Sequence, residues 1–323
     1  MATQKPAPTT LMEAVRFFSD PDVCLAAAIQ LRWGGGPVSC PTCGATDVHF
    51  IATRRIWRCS QQHERRQFSV KIGTVMEDSP IPLDKWLVAI WLLANAKNGI
   101  SSYELHRAIG VTQKTAWFLL HRIRLAMQSQ SFAKMSGEVE LDETFIGGKA
   151  RNMHHTKRER MGITQGKSMA GKVAVLGLLE RHSAKGSQIR LAQIPNNKRR
   201  HLMPHIMQHV ERGTTVHTDS LPSYTSLESD YTHNVIDHAE KYVDGQVHTN
   251  GLENFWSLLK RAIRGTYVSV EPFHLFRYLD EQCFRFNNRK LTDAERFAYA
   301  AATIVGKRLT YKELIGNCLS EPC

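Results

Sequence analysis

The chain has 323 residues, 42 Lys and Arg against 30 Asp and Glu, a net charge of +12 and a pI near 9.5. That length buries a full core without staples and suits two or three modest domains, and the positive excess points to a polyanionic partner, nucleic acid first, because each neutralised phosphate releases counterions. No run approaches the ~20 apolar residues of a membrane span, and "MATQKPAPTTLMEAVRFF" lacks the apolar core of a secretory signal, so a cytoplasmic, nucleoid-associated protein is expected.

After a polar, Pro-bearing start, "SDPDVCLAAAIQLRW" predicts a short helix capped by Asp20 with Pro21 at its first position and closed by "GGGP". Residues 38–70 change character to short β-type runs ("DVHFIAT", "IWRC", "RQFSV") separated by Cys- and Gly-bearing knuckles. "IPLDKWLVAIWLLANAKNG" carries helical spacing from Pro82 to Leu93. "ISSYELHRAIGVTQKTAWFLLHRIRLAM" then predicts a helix capped at Ser101 or Ser102, a break at Gly110-Val111, and a second helix capped by Thr112. The pair matches a helix-turn-helix, with Lys114, Arg122 and Arg124 as candidate DNA contacts; plain packing of two helices is the alternative.

From 136 onward the pattern is α/β. Strands are expected at "GEVELDETFIG", "KVAVLGLLER", "SQIRLAQIP", "TTVHTD" and "YTHNVID", with a helix at "KRRHLMPHIMQHVERG" before the fourth and another beginning in "VHTNGLENFW". Three consecutive strands form a meander, and later ones reached through helices pair in parallel with the first. A long loop at 147–172 holds seven Lys or Arg against one acid and five glycines; it is expected to be unstructured, with Lys149 a candidate DNA contact. The expected divisions are an N-terminal helical segment at 1–33, a metal ribbon at 34–75, a helical DNA-binding region at 80–130, an α/β domain at 136–290 and a helical tail at 291–323.

The seven cysteines fall into two classes. Cys24, Cys283, Cys318 and Cys323 stand apart and read as buried or tail thiols. "CPTC" supplies Cys40 and Cys43, and "CSQQH" supplies Cys59 and His63, a hairpin's length later. Two such halves hold one tetrahedral Zn2+ of the Cys3His type. A redox pair is disfavoured because no thioredoxin-like βαβ surrounds it, and His49 is the nearest substitute for the fourth ligand. Arg54, Arg55 and Arg58 lie on this module, where they suit phosphate contact.

The alternation of "EVELDETF" puts Glu138, Glu140 and Asp142 on one strand face and Glu143 opposite. Carboxylates on such a face are solvated or hold cations. "VHTD" sets Asp219 at the carboxyl end of another strand, where open α/β sheets bind ligands. On the helix starting near Thr249, Asn250, Glu253, Ser257 and Lys260 share one stripe, while Leu252, Phe255, Trp256, Leu259 and Ile263 form the other. Three carboxylates from those three elements suit two Mg2+ (or Mn2+) ions and in-line attack on phosphate.

This order of elements, with "LDETFIGGK", "VHTD" and "VHTNGLENFWSLLKR", resembles the DDE transposases of ISXO-type bacterial insertion sequences, related to the Merlin superfamily, and the likeness covers most of the chain. It implies a ribonuclease-H-like mixed sheet with flanking helices, preceded by a zinc ribbon and a helical DNA-binding region. It implies further that Asp142, Asp219 and Glu253 bind metal, that Lys260 contacts DNA near the cleaved phosphate, with Arg261 beside it, and that the chain joins double-stranded transposon ends to target DNA as a homo-oligomer. The second metal half departs from the familiar Cys-x2-Cys, and members with Asn as third acid put Asn250 in play. Glu253 is preferred because it brings a negative charge. A non-catalytic DNA-binding regulator descended from a transposase and a nuclease on the same fold are the alternatives.

Overall fold

The structure is a computed structural model and describes residues 7–128, 133–148, 154–160, 171–184, 186–236 and 248–316. The chain forms two compact units, Met1–Gln128 with Lys290–Cys323, and Ser129–Arg289.

The first unit opens with α1 (Leu11–Phe17), which starts from a reciprocal cap between Thr10 and Glu13. In α2 (Pro21–Trp33) Asp20 accepts from the Asp22 amide, Pro21 takes the first turn, and Gly34 ends the helix in the left-handed region at φ 60°. The strands β1 (Val48–Ile51), β2 (Ile56–Cys59) and β3 (Gln67–Phe68) form an antiparallel sheet. Alternation along β2 buries Trp57 and Cys59 and exposes Arg58. Trp57 packs against Trp33, Phe50 and Phe68 at ring separations of 5.8, 5.1 and 5.9 Å. Leu25 and Ala28 of α2 belong to the same cluster, so α2 shares the ribbon's core. After the ribbon, α3 (Leu83–Asn95) buries both tryptophans and most of its apolar residues. A three-residue turn, Gly110–Thr112, then joins α4 (Ser102–Ile109) to α5 (Gln113–Met127). Ser101 and Thr112 are the caps.

The second unit is a mixed sheet of β4 (Glu138–Ile146), β5 (Val173–Glu180), β6 (Gln188–Ile194), β7 (Thr215–Asp219) and β8 (Thr232–Ile236), in the order β6-β5-β4-β7-β8. β4, β5 and β6 run antiparallel as a meander, while β7 is parallel to β4 and β8 to β7. The basic loop after β4 is not wholly irregular, because α6 (His155–Arg160) lies within it; Lys149 falls outside the described residues. One face of the sheet packs Val139, Leu141, Leu178 and Val216 against Leu202 and Ile206 of α7 (Arg199–His209) and Tyr224 of a 3-10 segment, Pro222–Ser229. The other packs Val175 and Leu179 against Leu252, Phe255 and Leu259 of α8 (Asn250–Arg261) and Leu275 and Leu279 of α9 (Leu275–Asn287).

The end of the chain completes the first unit. α10 (Asp293–Ala302) packs on α3, with the Phe297 ring 5.3 Å from Trp91 and 5.5 Å from Phe18. Further on, Val305 bridges to Thr74, Lys307 donates to the last carbonyls of α5, and α11 (Tyr311–Leu314) follows. This corrects the reading of Arg122 and Arg124 as DNA contacts. Arg122 is 5% exposed, stacks over Phe118 and donates to the Leu309 and Glu77 carbonyls, and Arg124 is 1% exposed. Burial in the unit's core takes both guanidinium groups away from solvent, and for Arg122 the returning segment supplies one of the acceptors. Lys114, in the first turn, stays exposed, its ammonium 4.7 Å from the centre of the Tyr311 ring.

Candidate active site and metal centre

The central strands β4 and β7 pair in parallel from Glu138↔Thr215 to Glu140↔His217. Carried two residues further, that register sets Asp142 abreast of Asp219, on neighbouring strands spaced about 4.8 Å apart, at the carboxyl edge where ligands bind open α/β sheets. Asp219 ends its strand and accepts from the Leu221 amide at 3.2 Å. Asp142 is held at both oxygens: Oδ1 accepts from the Glu143 amide and Oδ2 from Trp256 Nε1, each at 2.8 Å.

Trp256 reaches Asp142 because the sheet leaves room for it. Gly177 of β5 lies opposite Asp142, and a Cβ there would stand 2.7 Å from a Trp256 ring carbon and 2.8 Å from Leu252 Cδ2. The apolar side of α8 is thereby pressed to the sheet. On its other side Asn250 and Glu253 are exposed and Lys260 is half-buried. The expected stripe is therefore present, with Glu253 one turn after Asn250 and Lys260 two turns further.

Burial pushes the Asp142 carboxyl up to about 6, with the negative charges of Asp219 and Glu253 adding to the rise. The three expected acids thus interact electrostatically. Sequence reasoning missed a fourth. Glu143, on the opposite face, is raised to about 7 by burial, with further contributions from Asp219 and Asp142, and accepts a hydrogen bond from the buried Tyr224 hydroxyl. The available signals were an adjacent Asp-Glu pair in the middle of a strand and a tyrosine five residues after Asp219. Neighbouring carboxylates are the oxygen donors that hard divalent cations take, although Asp142, Asp219 and Glu253 do not bring their oxygens within 4.8 Å of one another as a group.

Two other acids on the β4 face are not metal ligands in waiting. Glu140 is 1% exposed, accepts from Arg181 Nε at 2.8 Å and from the Leu252 amide at 2.9 Å, and so caps α8, whose own N-cap Thr249 makes no side-chain bond. Glu138 takes the other arm of Arg181 at 3.0 Å. Gly251 is required here, since a Cβ would meet Glu140 Oε2 at 2.9 Å.

In the ribbon, Cys40, Cys43, Cys59 and His63 have ligand atoms all within 4.8 Å of one another, the one such group of three or more among the described residues. Cys43 Sγ lies 3.6 Å from Cys59 Sγ, and Cys40 Sγ 3.5 Å from His63 Nε2. Tetrahedral Zn2+ with ordinary bond lengths needs edges of about 3.8 Å between sulfurs and about 3.6 Å between sulfur and nitrogen, and the cysteines are unpaired thiols. The four residues fit zinc. His49 is an exposed β1 residue opposite Arg58, away from this group. Arg54, Arg55 and Arg58 are exposed, with Arg55 paired to Asp22 at 2.9 Å. Arg261 is exposed on α8.

Residues 134–287 match the ISXO2-like transposase domain, and residues 19–61 match a transposase zinc-ribbon domain. The second match stops short of His63. The chain is 29% identical over 240 residues to an uncharacterised protein in transposable element ISH50 of Halobacterium salinarum, covering 72% of this chain and 79% of that one. It is 31% identical over 99 residues to an uncharacterised transposase-like protein of Haemophilus influenzae, covering 30% and 80% respectively.

Proposed function

The chain belongs to the ISXO2-like transposase family, and from that premise we propose that it binds the terminal inverted repeats of its element and catalyses Mg2+-dependent strand cleavage and strand transfer. The observation that supports this reading is the register that sets Asp142 abreast of Asp219 on two parallel central strands, with burial and then the charges of Asp219 and of Glu253 on α8 raising the Asp142 carboxyl to about 6. The strand order, with a meander flanked by two parallel strands, supports a ribonuclease-H-like catalytic domain at 136–290.

Asp142, Asp219 and Glu253 would hold two Mg2+ or Mn2+ ions, which when bound supply Lewis acidity for in-line attack of water, then of a 3′-hydroxyl, on a phosphodiester. Trp256 fixes the orientation of Asp142. Lys260 contacts a non-bridging phosphate oxygen near the cut. Asn250, neutral and one turn earlier, contacts DNA beside the site. Arg54, Arg55 and Arg58 of the ribbon, Lys114 of α5, Lys149 and Arg261 bind the phosphates of the duplex, and synapsis of two ends makes the active form a homo-oligomer. No helix among the described residues is long and apolar enough to cross a membrane, and nucleic acid in the cytoplasm is the expected surrounding.

The test is cleavage and joining of duplexes carrying the DNA that borders the gene. Wild type is expected to cut and join in Mg2+, and Asp142→Asn, Asp219→Asn and Glu253→Gln each to lose at least about a hundredfold in rate while still binding. Cutting without joining would make the chain a nuclease, and binding with no cutting a regulator. If Glu253→Gln kept strand transfer and Asn250→Ala abolished it, the third ligand would be Asn250.

A further inference from the structure

Beyond the carboxylates, a cavity of about 380 Å3 opens between the end of β4 and the turns after α8. Its apolar lining includes Ile146, Ile263 and Val270, which share one face of the sheet, and its cations are Lys260 and Arg264. Neither cation is engaged in an ion pair among the described residues. Val268 stands at the rim, 78% exposed.

Val268 is held in a conformation its side chain resists. Its φ is 61°, and the Ser269 amide donates to the Tyr267 carbonyl at 2.6 Å across it, which makes a γ-turn of the rare strained hand. A β-branched residue at positive φ is a true outlier. The turn is anchored from behind, because the Tyr267 hydroxyl donates to Glu281, which is fully buried and paired with Arg285, and the Tyr267 ring packs 4.7 Å from Tyr278. Strain imposed this firmly, on an exposed apolar side chain beside a cavity, is the pattern of a working position.

The chemistry of the lining selects the ligand. A bare phosphate would satisfy the two cations and leave the apolar floor wet; an aliphatic ligand would leave the cations unpaired. A nucleotide carries both an anion and a flat apolar base. Within a duplex the faces of that base are covered by its neighbours, so only an unstacked nucleotide can use the floor. We propose that this cavity takes one unstacked nucleotide of the DNA strand next to the cut, its phosphate on Lys260 and Arg264 and its base on Ile146, Ile263 and Val270, while Val268 fills the gap left in the stack. Apolar wedges of this kind are a general means of unstacking DNA. The inference rests on the transposase reading, since it needs DNA at the carboxylate edge.

The experiment uses the full chain with duplexes carrying the DNA that borders the gene, substituted with 2-aminopurine at single positions across the cut. Binding is expected to raise the fluorescence several-fold at one position and to leave its neighbours flat. Glu253→Gln, which removes the chemistry, keeps that rise. Val268→Gly relieves the turn, so its thermal midpoint is expected to stay level or climb by about 1–4 °C while the fluorescence rise is lost and cleavage falls about tenfold. Arg264→Ala is expected to lose the rise as well. Binding and cleavage with flat fluorescence at every position would overturn the cavity proposal alone, as would a Val268→Gly protein that cuts and unstacks normally. Absence of both binding and cleavage would remove the transposase reading, and the cavity's role with it.

Discussion

Asp142 and Glu143 are neighbours on one strand whose carboxyls point to opposite sides of the sheet, yet both are held above their ordinary values of 3.8 and 4.5, at about 6 and about 7. Burial dominates each shift, and shared negative charge from Asp219 adds to both. In a chelator the folded chain therefore keeps protons that the unfolded chain has already released between those limits. Stability from these groups is present below the unfolded values and is lost as pH rises through 6 and then 7. We expect the unfolding midpoint in chelator to fall between about pH 5 and about pH 7.5, and Glu143→Gln to flatten the upper part of the fall; a midpoint that climbed over this range would contradict it. Added Mg2+ should restore what is lost, because the cation takes the place of the proton. Gly177 makes a second, independent test of the same site. Gly177→Ala drives a Cβ into Trp256 and Leu252, and overpacking of this kind costs about 1–3 kcal/mol. Denaturant unfolding should show that loss, and cleavage should drop with it, because Trp256 can no longer reach Asp142.

At the scale of the element, α8 shows why the site was only partly legible. Its apolar and polar stripes follow from spacing within twelve residues, so Glu253 and Lys260 could be placed on one stripe from sequence, as could the caps at Asp20 and Thr112, while Ser101 was one of two candidates. What fixes the start of α8 could not. Glu140 caps it from 112 residues away and is neutralised by Arg181, itself 41 residues from Glu140. The Glu143–Tyr224 bond spans 81 positions, and the Arg122–Leu309 bond 187. Local periodicity reports which side of an element is apolar; it does not report which polar group from elsewhere lands on the other side. Arg181 tests the anchor. Arg181→Met leaves Glu140 buried without its cation, a change that costs about 3–5 kcal/mol, and strand cleavage should fall although Arg181 is proposed to touch no DNA. The ribbon was more legible because a metal fixes its own spacing. Zinc analysis should return about one ion per chain, and stripping it should shift Trp57 emission to the red as the knuckles open; a metal-free protein with native emission would count against the site.

For the whole molecule, the first unit is discontinuous in sequence, built from residues before 129 and after 289. The closing segment supplies pieces the earlier helices cannot replace: the Phe297 ring against Trp91 and Phe18, the Leu309 carbonyl for Arg122, and the Lys307 ammonium for the last carbonyls of α5. The second unit holds its own sheet and both its hydrophobic layers between 135 and 283. Ending the chain after Arg289 should therefore damage the part of the protein farthest from the cut in sequence. Losing the half-buried Phe297 alone costs about 1–3 kcal/mol, and leaving the buried Arg122 guanidinium with the Glu77 carbonyl but without that of Leu309 adds about 1–3 kcal/mol. Together with the other contacts of the closing segment these are a large share of the about 5–15 kcal/mol by which a domain is stable. Limited proteolysis of the shortened chain should cut within residues 1–128 while a fragment close to 129–289 persists, and the persisting fragment should keep the far-ultraviolet signature of its sheet. Equal protection of both units would mean that α1 to α5 fold without the closing segment, and that Phe297 and Leu309 only decorate a core already complete.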